Sequence, residues 1–243
     1  MQHRMAALIP CFNVGSACVP VVRACSQTLD LCIVVDDGSV DDTARHVESV
    51  GAPNCRLIRH EKNLGKGSAL ITGFRHILAE EPQIEAVVTI DGDGQHDPAL
   101  AIGFIDRYCQ QGTDLVYGNR MTQPAGMPMH RRALNTISNV LASRVCSRPI
   151  HDSQCGYRLY SRKLLGAVIE EVRTTRYELE TEILILACRR NFHIGFVPIT
   201  SIYSAKSASM SHHSFLDVLR IGRLLAREFR NRPSRAGAPD RSS

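Results

Sequence analysis

The stretch that decides the fold reads VVTIDGDGQHDP and covers residues 87–98. Its first four residues form a short, mostly apolar run, which is typical of a buried strand. The run ends in two carboxylates, Asp91 and Asp93, that one glycine separates. Side chains repeat every two residues along an extended backbone, so both carboxylates are expected to point the same way. Ligands of open α/β sheets lie at the carboxyl ends of the strands, and the sequence therefore predicts a ligand site here.

The residue types in this stretch suit a divalent cation. Asp91 and Asp93 offer hard carboxylate oxygens, and Gln95 adds a neutral oxygen. Mg²⁺ in proteins is commonly held by one or two carboxylates and shared with substrate phosphates. Asp97 followed by Pro98 is typical of an N-cap with proline at the first helical position, so the next helix should begin there. A surface turn between strand and helix is the alternative interpretation of this motif taken alone.

Length and composition favour a globular protein of one or two domains. The chain has 243 residues, of which 44% are hydrophobic, enough for one large α/β domain or two small ones. No apolar run approaches the roughly 20 residues that span a bilayer, and the N-terminus lacks the pattern of a signal peptide. The nine cysteines form no Cys-x-x-Cys pair. We expect four of them, Cys11, Cys18, Cys25 and Cys32, to be small buried residues in a reducing cytoplasm, not zinc ligands or nucleophiles.

The positive charge is confined to one end of the chain. The formal net charge is +5, and the residues from Arg220 onward account for all of it, with seven arginines against Glu228 and Asp240. The remaining chain is formally neutral. This distribution indicates a balanced body with a basic end, and it argues against a nucleic-acid-binding domain, because no aromatic stacking residues accompany the arginines.

Strand-like and helical segments alternate along the chain. Strands are predicted at 5–10, 31–35, 55–59, 85–90 and 115–118, with helical segments between them. Helices are predicted further on at 130–146 and 177–190, and strand-like runs at 156–160 and 192–203. The alternation predicts an α/β fold, a Rossmann-like, doubly wound and mostly parallel sheet with helices on both faces.

Polar groups follow three of the predicted strands. Pro10 and Asn13 lie at the end of the first strand, Asp36 and Asp37 at the end of the second, and the Asp91 motif at the end of the fourth. Parallel strands end at the same edge of a sheet, so these groups should converge. The carboxylates of Asp36 and Asp37 could accept hydrogen bonds from a nucleobase or a ribose.

The segment Asn63-Leu64-Gly65-Lys66-Gly67 opens another predicted helix. Backbone N–H groups and a cation at a helix start suit a phosphate group. The spacing is not that of a Walker loop, because the Gly-Lys-Ser/Thr order is absent. An ordinary capped helix entry is the alternative interpretation.

Six motifs in this order resemble those of one known family. They are IPCFN (9–13), VVDDGSVDDT (34–43), NLGKGSAL (63–70), IDGDGQHDP (90–98), YGNR (117–120) and DSQCGYRLY (152–160). Together they resemble the family 2 glycosyltransferases, which have the GT-A fold. Within that family the chain is most similar to the dolichol- or polyprenyl-phosphate sugar synthases, over residues 5–220. Six ordered motifs are far more specific than any one of them.

The resemblance implies an inverting transfer of a sugar from a nucleoside diphosphate, with Mg²⁺ or Mn²⁺ as cofactor. It implies metal and diphosphate ligation by Asp91, Asp93 and Gln95. Donor contacts are implied for Pro10, Asn13, Asp36, Asp37, Asn63, Gly65, Lys66 and Arg120. Arg132 matches a second phosphate-contacting arginine, the acceptor-side segment holds Asp152, Gln154 and Arg158, and an acidic helix start with a partly structural role holds Glu180 and Glu182.

The acceptor decides which residues are needed. A hydroxyl acceptor requires a general base, and Asp152 is the candidate. A lipid phosphate has a second pKa near about 6 and is anionic at neutral pH, so it needs cations more than a base. Arg120 and Arg132 fit this second case, which predicts a polyprenyl phosphate acceptor. The alternatives are transfer to a hydroxyl of a glycan or lipid-linked glycan, and a catalytically silent binding protein that keeps the fold.

The chain is expected to consist of a GT-A domain (1–212), a basic amphipathic helix (213–230) and a disordered tail (231–243). At about 100° per residue the helix has one apolar side and an opposite side of arginines. Such a helix can lie on an anionic membrane or pack on the domain, and both interpretations stay open. The first would place the protein peripherally on the inner face of the cytoplasmic membrane. The apolar side holds Phe215, Val218, Leu219, Leu225, Ala226 and Phe229, and the other side Arg220, Arg223, Arg227 and Arg230.

Overall fold

The computed structural model describes residues 3–122, 127–200 and 215–230. Within them the chain forms one sheet of seven strands. The strands are β1 (Met5–Cys11), β2 (Leu31–Asp36), β3 (Cys55–Arg59), β4 (Ala86–Thr89), β5 (Leu115–Asn119), β6 (Arg158–Ser161) and β7 (Ile194–Pro198). Each corresponds to a strand-like run of the sequence, with ends that shift by a few residues.

Eight α-helices surround the sheet in the described part of the chain. They are α1 (Cys18–Thr28), α2 (Thr43–Glu48), α3 (Lys66–Glu80), α4 (Ala101–Gln111), α5 (Met129–Cys146), α6 (Arg162–Val168), α7 (Leu179–Arg189) and α8 (Phe215–Arg230). Helix α6 was not expected from the sequence. It is short and begins where the Ser161 side chain accepts a hydrogen bond from the backbone N–H of Leu164, an N-cap that follows β6 directly.

The sheet is mostly parallel, as the alternation of segments predicts. The strand order is β3-β2-β1-β4-β6-β5-β7, and only β6 runs antiparallel to its two neighbours. The central strands β1, β2 and β4 therefore end at the same edge, which brings the three predicted polar strand ends together.

Two apolar layers cover the two faces of the sheet. Along β1, Leu8 faces a layer that includes residues of α3, α5, α6, α7 and α8, whereas Ile9 faces a layer that includes residues of α1 and α4. Strands covered on both faces read as continuous apolar runs instead of alternating ones. This explains why the predicted strands lack a period of two.

The buried side of α8 differs from the apolar side that the sequence predicts. Ile221, Leu224 and Leu225 are buried in the same layer as α5, on which α8 packs, while Leu219 and Phe229 are 38% and 53% exposed. The predicted apolar side, which contains Leu225 together with Leu219 and Phe229, is therefore divided between core and solvent. Packing against α5 selected a side centred on Ile221 and Leu224, and helical periodicity alone could not anticipate that contact. The expected tail at 231–243 lies outside the described residues.

The helices of the described ranges include none that is long and apolar enough to cross a membrane.

Close contact between α3 and β1 depends on Gly73. A Cβ atom there would lie 2.1 Å from Leu8 Cδ1, whereas a Cβ at Gly166 in α6 would meet no atom within 4 Å. We expect Gly73→Ala to lower the free energy of unfolding by about 1–3 kcal/mol, because overpacking outweighs the better helix propensity of alanine. The matched change Gly166→Ala should raise it by about 0.5–1 kcal/mol. Urea unfolding of both variants measures the difference, and equal effects would contradict the close packing of α3 on β1.

Candidate active site

The end of β2 is held by buried carboxylates. Asp36 is fully buried; its Oδ1 accepts a hydrogen bond from the Ser39 backbone N–H at 3.0 Å, and its Oδ2 lies 3.3 Å from Arg59 Nε. The same turn is joined to the end of β1, because Asn13 Oδ1 accepts a hydrogen bond from the Val40 backbone N–H at 2.9 Å. Asn13, in the left-handed region with φ of 50°, is exposed at the sheet edge. The predicted convergence of the first two strand ends is therefore present.

Asp37 organises the loop that precedes α3. Its Oδ1 accepts hydrogen bonds from the Leu64 backbone N–H at 2.9 Å and its Oδ2 from that of Gly65 at 2.8 Å, and His60 Nδ1 lies 2.7 Å from Oδ1. Asp37 is only 2% exposed. It was predicted to contact the nucleotide, but the structure gives its oxygens to the loop, so its effect on a donor would be indirect.

Three of the backbone N–H groups around this loop are bonded within the protein, so they are not available to a phosphate. The N–H groups of Leu64 and Gly65 bond to Asp37, and that of Ser68 donates to Thr175 O at 2.9 Å. Gly65 has φ of 104° and lies so close to the 173–177 segment that a Cβ would be 2.8 Å from Thr175 O. These three N–H groups are bonded to acceptors of the protein itself, Asp37 on one side of the loop and Thr175 on the other. Asn63 stays exposed.

Lys66 lies between two carboxylates, one of which belongs to Asp91 of the predicted metal site. Its Nζ is 2.7 Å from Asp91 Oδ1 and 3.2 Å from Glu180 Oε2. Burial alone would lower the pKa of Lys66, but the charges of Asp91 and Glu180 outweigh burial and raise it, so the ammonium stays charged. The three side chains fit around Gly156, where a Cβ would lie 2.7 Å from Lys66 Nζ.

Asp93 stands beside Asp91 at the end of β4. Its Oδ1 accepts a hydrogen bond from the Gln95 backbone N–H at 3.0 Å, and its Oδ2 lies 2.6 Å from the Gln95 side-chain amide. Burial and the neighbouring Asp91 charge raise the pKa of Asp93 to about 6. A cation between the two carboxylates would relieve this repulsion, so the residues fit a divalent metal. Residues 3–122, 127–200 and 215–230 contain no cluster of three His, Cys, Asp or Glu side chains suited to a metal, and a metal here would need oxygens from a substrate.

His96 is a buried neighbour of this pair. It is 5% exposed, its ring lies against Tyr157, and its Nδ1 has no hydrogen-bond partner among the described residues. Burial lowers the pKa of His96 to about 4, so the ring is neutral at pH 7. A neutral buried imidazole can offer a polar atom to a ligand without adding charge. The sequence placed His96 in the motif but could not predict its burial.

Arg120 and Asp152 form a buried ion pair. Arg120 Nε and Nη2 donate to the two carboxylate oxygens of Asp152 at 2.8 and 2.9 Å, and Asp152 is fully buried. Burial alone would raise the pKa of Asp152, but the charge and hydrogen bonds of Arg120 outweigh it and lower the pKa. The structure does not support Asp152 as a general base, because a low pKa and two occupied oxygens make it a poor proton acceptor. The Arg120 guanidinium is likewise engaged by Asp152.

Arg158 is a structural residue, contrary to its predicted place on the acceptor side. It is fully buried, and its guanidinium donates to three backbone carbonyls, those of Ser153, Cys155 and Glu180, at 2.6–2.7 Å. These bonds join the 153–155 loop to α7. A guanidinium that is enclosed in this way cannot reach a substrate.

The other predicted residues have different surroundings. Pro10 is buried inside β1 and pairs with Val35, so it shapes the strand end and offers no side-chain contact. Gln154 is partly buried and its Nε2 lies 3.1 Å from Ser153 Oγ. Arg132 is exposed in the first turns of α5.

Glu182 holds in place a segment that packs against the loop before α3. Its Oε2 accepts hydrogen bonds from the backbone N–H groups of Arg173 and Thr174 at 3.0 and 2.9 Å, and so fixes the segment that closes on Gly65. Sequence reasoning missed this 173–177 segment as part of the site. Its only signal was indirect, since two glycines at the start of α3 indicate that some backbone approaches closely there.

A carboxylate whose pKa is raised in the folded state weakens folding above that pKa. Asp93 binds its proton more tightly in the folded than in the unfolded chain, so its contribution is most favourable at low pH and is lost as the pH rises through about 6. We expect Asp93→Asn to stabilise the metal-free protein at pH 7 by about 1–2 kcal/mol and to have little effect near pH 4. Urea unfolding in EDTA at both pH values tests this, with exposed Asp106→Asn as control. A less stable Asp93→Asn protein at pH 7 would show that the Asp91–Asp93 repulsion is absent.

The loop held by Asp37 is open to a separate test. Asp37→Ala leaves the N–H groups of Leu64 and Gly65 without their acceptor, so we expect nucleoside-diphosphate binding to weaken by about 1–3 kcal/mol and Tm to fall. Asp42, an exposed neighbour 3.7 Å from Arg45, provides the control Asp42→Ala. Calorimetry with a panel of nucleoside diphosphates and Mn²⁺ measures the affinity. Unchanged affinity in Asp37→Ala would separate this loop from donor binding.

Solved structures with a similar fold include glucosyl-3-phosphoglycerate synthase from Mycobacterium tuberculosis, in complex with Mn²⁺, UDP and phosphoglyceric acid. The TM-score is 0.69 at 20% sequence identity, over 98% of this chain and 80% of that one. At this identity the likeness shows the fold, which is GT-A, and leaves the substrates of this chain undetermined.

Two curated relatives are more similar in sequence. An uncharacterised protein from Methanocaldococcus jannaschii is 33% identical over 180 residues, which are 73% of this chain and 72% of that protein. The UDP-N-acetylglucosamine–dolichyl-phosphate N-acetylglucosaminyltransferase of Methanococcus voltae is 30% identical over 218 residues, 82% of this chain and 86% of that enzyme. The sequence profile of Glycosyl transferase family 2 matches residues 6–169. The converging strand ends, the Asp91–Asp93 pair and these matches lead to one conclusion: the chain is a glycosyltransferase that belongs to family 2.

Proposed function

We propose that the protein transfers a sugar from a nucleoside-diphosphate sugar to a polyprenyl phosphate of the dolichyl type, with inversion at the anomeric carbon. The Methanococcus voltae relative, whose name gives UDP-N-acetylglucosamine and dolichyl phosphate as substrates, supports this over most of the chain. UDP-sugars are therefore the first donors to test.

The observation that carries the proposal is the ion pair between Asp152 and Arg120. A hydroxyl acceptor must lose a proton during transfer, and the carboxylate that would take it is fully buried and bonded to a guanidinium. The Glu180 carboxylate is also buried, and its Oε2 lies 3.2 Å from the Lys66 ammonium. A phosphate acceptor is already anionic and needs no base. The site thus suits a phosphate better than a hydroxyl.

The reaction is then a single displacement. An oxygen of the acceptor phosphate forms a bond to the anomeric carbon while the bond from that carbon to the donor diphosphate breaks, and the electron pair leaves with the diphosphate. No proton has to move. Attack from the side opposite the leaving group inverts the configuration of the sugar.

Positive groups near the diphosphate supply the catalysis. Mg²⁺ or Mn²⁺ held by Asp91, Asp93 and Gln95 would neutralise the charge that develops on the leaving diphosphate. The ammonium of Lys66, 2.7 Å from Asp91, lies where it can donate a hydrogen bond to the same group. The turn held by Asp36 and the loop held by Asp37 would bind the nucleoside at the other end of the donor.

The acceptor chain also has consequences for location. A polyprenyl chain resides in a bilayer, so we propose that the enzyme works peripherally on a membrane, at the inner face of the cytoplasmic membrane where nucleotide sugars are available.

A substitution of Arg132 distinguishes a contact with the acceptor phosphate from a contact with the donor diphosphate. If it holds the acceptor phosphate through charge-assisted, bidentate bonds, lysine replaces it poorly. We expect Arg132→Lys to slow transfer to polyprenyl phosphate about tenfold or more, the scale of one lost charged hydrogen bond, while background donor hydrolysis is unchanged. Arg144→Lys, also exposed and near the other end of α5, is the matched control.

Three outcomes would count against the proposal. Equal loss of transfer and hydrolysis in Arg132→Lys would place Arg132 on the donor diphosphate. Sugar transfer to glycan hydroxyls, with none to polyprenyl phosphate in a parallel acceptor screen, would overturn the acceptor class. No hydrolysis or transfer with any nucleotide sugar and Mn²⁺ would favour a silent protein.

A further inference from the structure

The outward side of α5 is apolar, although it faces solvent. Helical spacing puts its large apolar side chains on one side, opposite the buried Asn139 and Ala142. The exposed fractions are 88% for Met129, 39% for Leu134, 58% for Ile137, 47% for Val140 and 37% for Leu141. We refer to these five residues as the α5 stripe.

The α5 stripe is not ordinary scatter of apolar residues on a surface. The described part of the chain has eleven exposed large hydrophobic residues, and five of them lie on this one helix. Two more, Leu219 and Phe229, lie on α8, which packs against α5. Single exposed apolar residues are common and need no explanation, whereas a contiguous group marks a surface that another body covers.

The charge around the stripe indicates what that body is. From residue 121 to residue 151 the sequence contains no aspartate or glutamate but has four arginines, at 131, 132, 144 and 148. Arg223 and Arg230 are exposed on the neighbouring α8. Helical spacing places Arg144 among the stripe residues, four positions after Val140. An apolar side with arginines on and around it matches an anionic bilayer, in which apolar side chains enter the acyl boundary and arginines meet the head groups. A second copy of the chain would bring the same arginines face to face, which disfavours a dimer through this surface.

We propose that the α5 stripe docks the protein on an anionic membrane, with the exposed arginines of α8 beside it. This assigns the apolar contact to α5, because Ile221, Leu224 and Leu225 of α8 are already used in the core. Helix α5 begins seven residues after the turn that carries Arg120, which ends at Thr122. Docking would therefore bring the acceptor side of the site to the lipid surface, a consequence that rests on the proposed function.

A matched pair of substitutions tests the surface on the full chain. Ile137→Glu places a carboxylate in the centre of the stripe. Ile102→Glu makes the same change on α4, which packs on the opposite face of the sheet and where the isoleucine is 55% exposed, against 58% for Ile137. Val140→Glu is a second stripe variant. Sedimentation with vesicles of phosphatidylglycerol and phosphatidylcholine, and of phosphatidylcholine alone, measures binding without donor or acceptor.

We expect Ile137→Glu and Val140→Glu each to weaken binding to the anionic vesicles about tenfold or more, the scale of one apolar side chain withdrawn from the bilayer. Ile102→Glu should bind like the unchanged protein. Binding to the anionic vesicles should also fall with added salt, because the arginine contribution is screened.

Three results would overturn the docking surface. The first is equal vesicle binding by the Ile137→Glu and Ile102→Glu proteins. The second is a dimer, seen by light scattering, that only the stripe variants dissociate, which would identify a second copy as the occupant. The third is a lower Tm in the stripe variants without loss of vesicle binding, which would mean that another segment of the chain covers α5. Absence of transfer to polyprenyl phosphate would refute the proposed function. The docking surface would still be judged by vesicle binding alone.

Discussion

The ammonium of Lys66 connects three parts of the chain that meet at the site. It lies at the start of α3, and its contacts are Asp91 at the end of β4 and Glu180 at the start of α7. Without this cation, the two carboxylates would repel each other in a partly buried space, and partial burial raises the cost of that repulsion. The arrangement of the loops around the end of β4 therefore depends on one charge that the fold keeps protonated.

Most of the polar residues around Lys66 form hydrogen bonds within the protein. Asp37 holds the loop before α3, Glu182 holds the 173–177 segment that closes on it, and Arg158 joins the 153–155 loop to α7. Each interaction satisfies backbone groups that would otherwise be buried without partners, which is costly in a low-dielectric interior. Asp91 and Asp93 remain partly exposed at this edge, where the proposed donor and its cation would bind.

The acceptor side follows the same logic. Arg120 neutralises Asp152, so the Asp152 carboxylate is neither an available base nor an isolated buried charge. An acceptor that arrives with its own negative charge suits such a site, and an acceptor that must first be deprotonated does not. The apolar side of α5, with arginines on and around it, is consistent with such an acceptor, because it suits the membrane surface in which lipid phosphates reside.

The sequence by itself determined the strand-and-helix alternation, the convergence of three strand ends and the carboxylate pair, because apolar runs and turn residues are local signals that tertiary contacts reinforce. It also indicated the family through six ordered motifs. Only the tertiary structure decided which polar side chains are bonded within the protein: Asp37, Asp152 and Arg158 sit in motifs that indicate substrate contacts, yet each is bonded to residues distant in the chain. The same holds for α8 and α5, whose buried sides were selected by helix packing. Hydrogen-bond partners and burial depend on which distant segments meet, and a local pattern of residues cannot specify that.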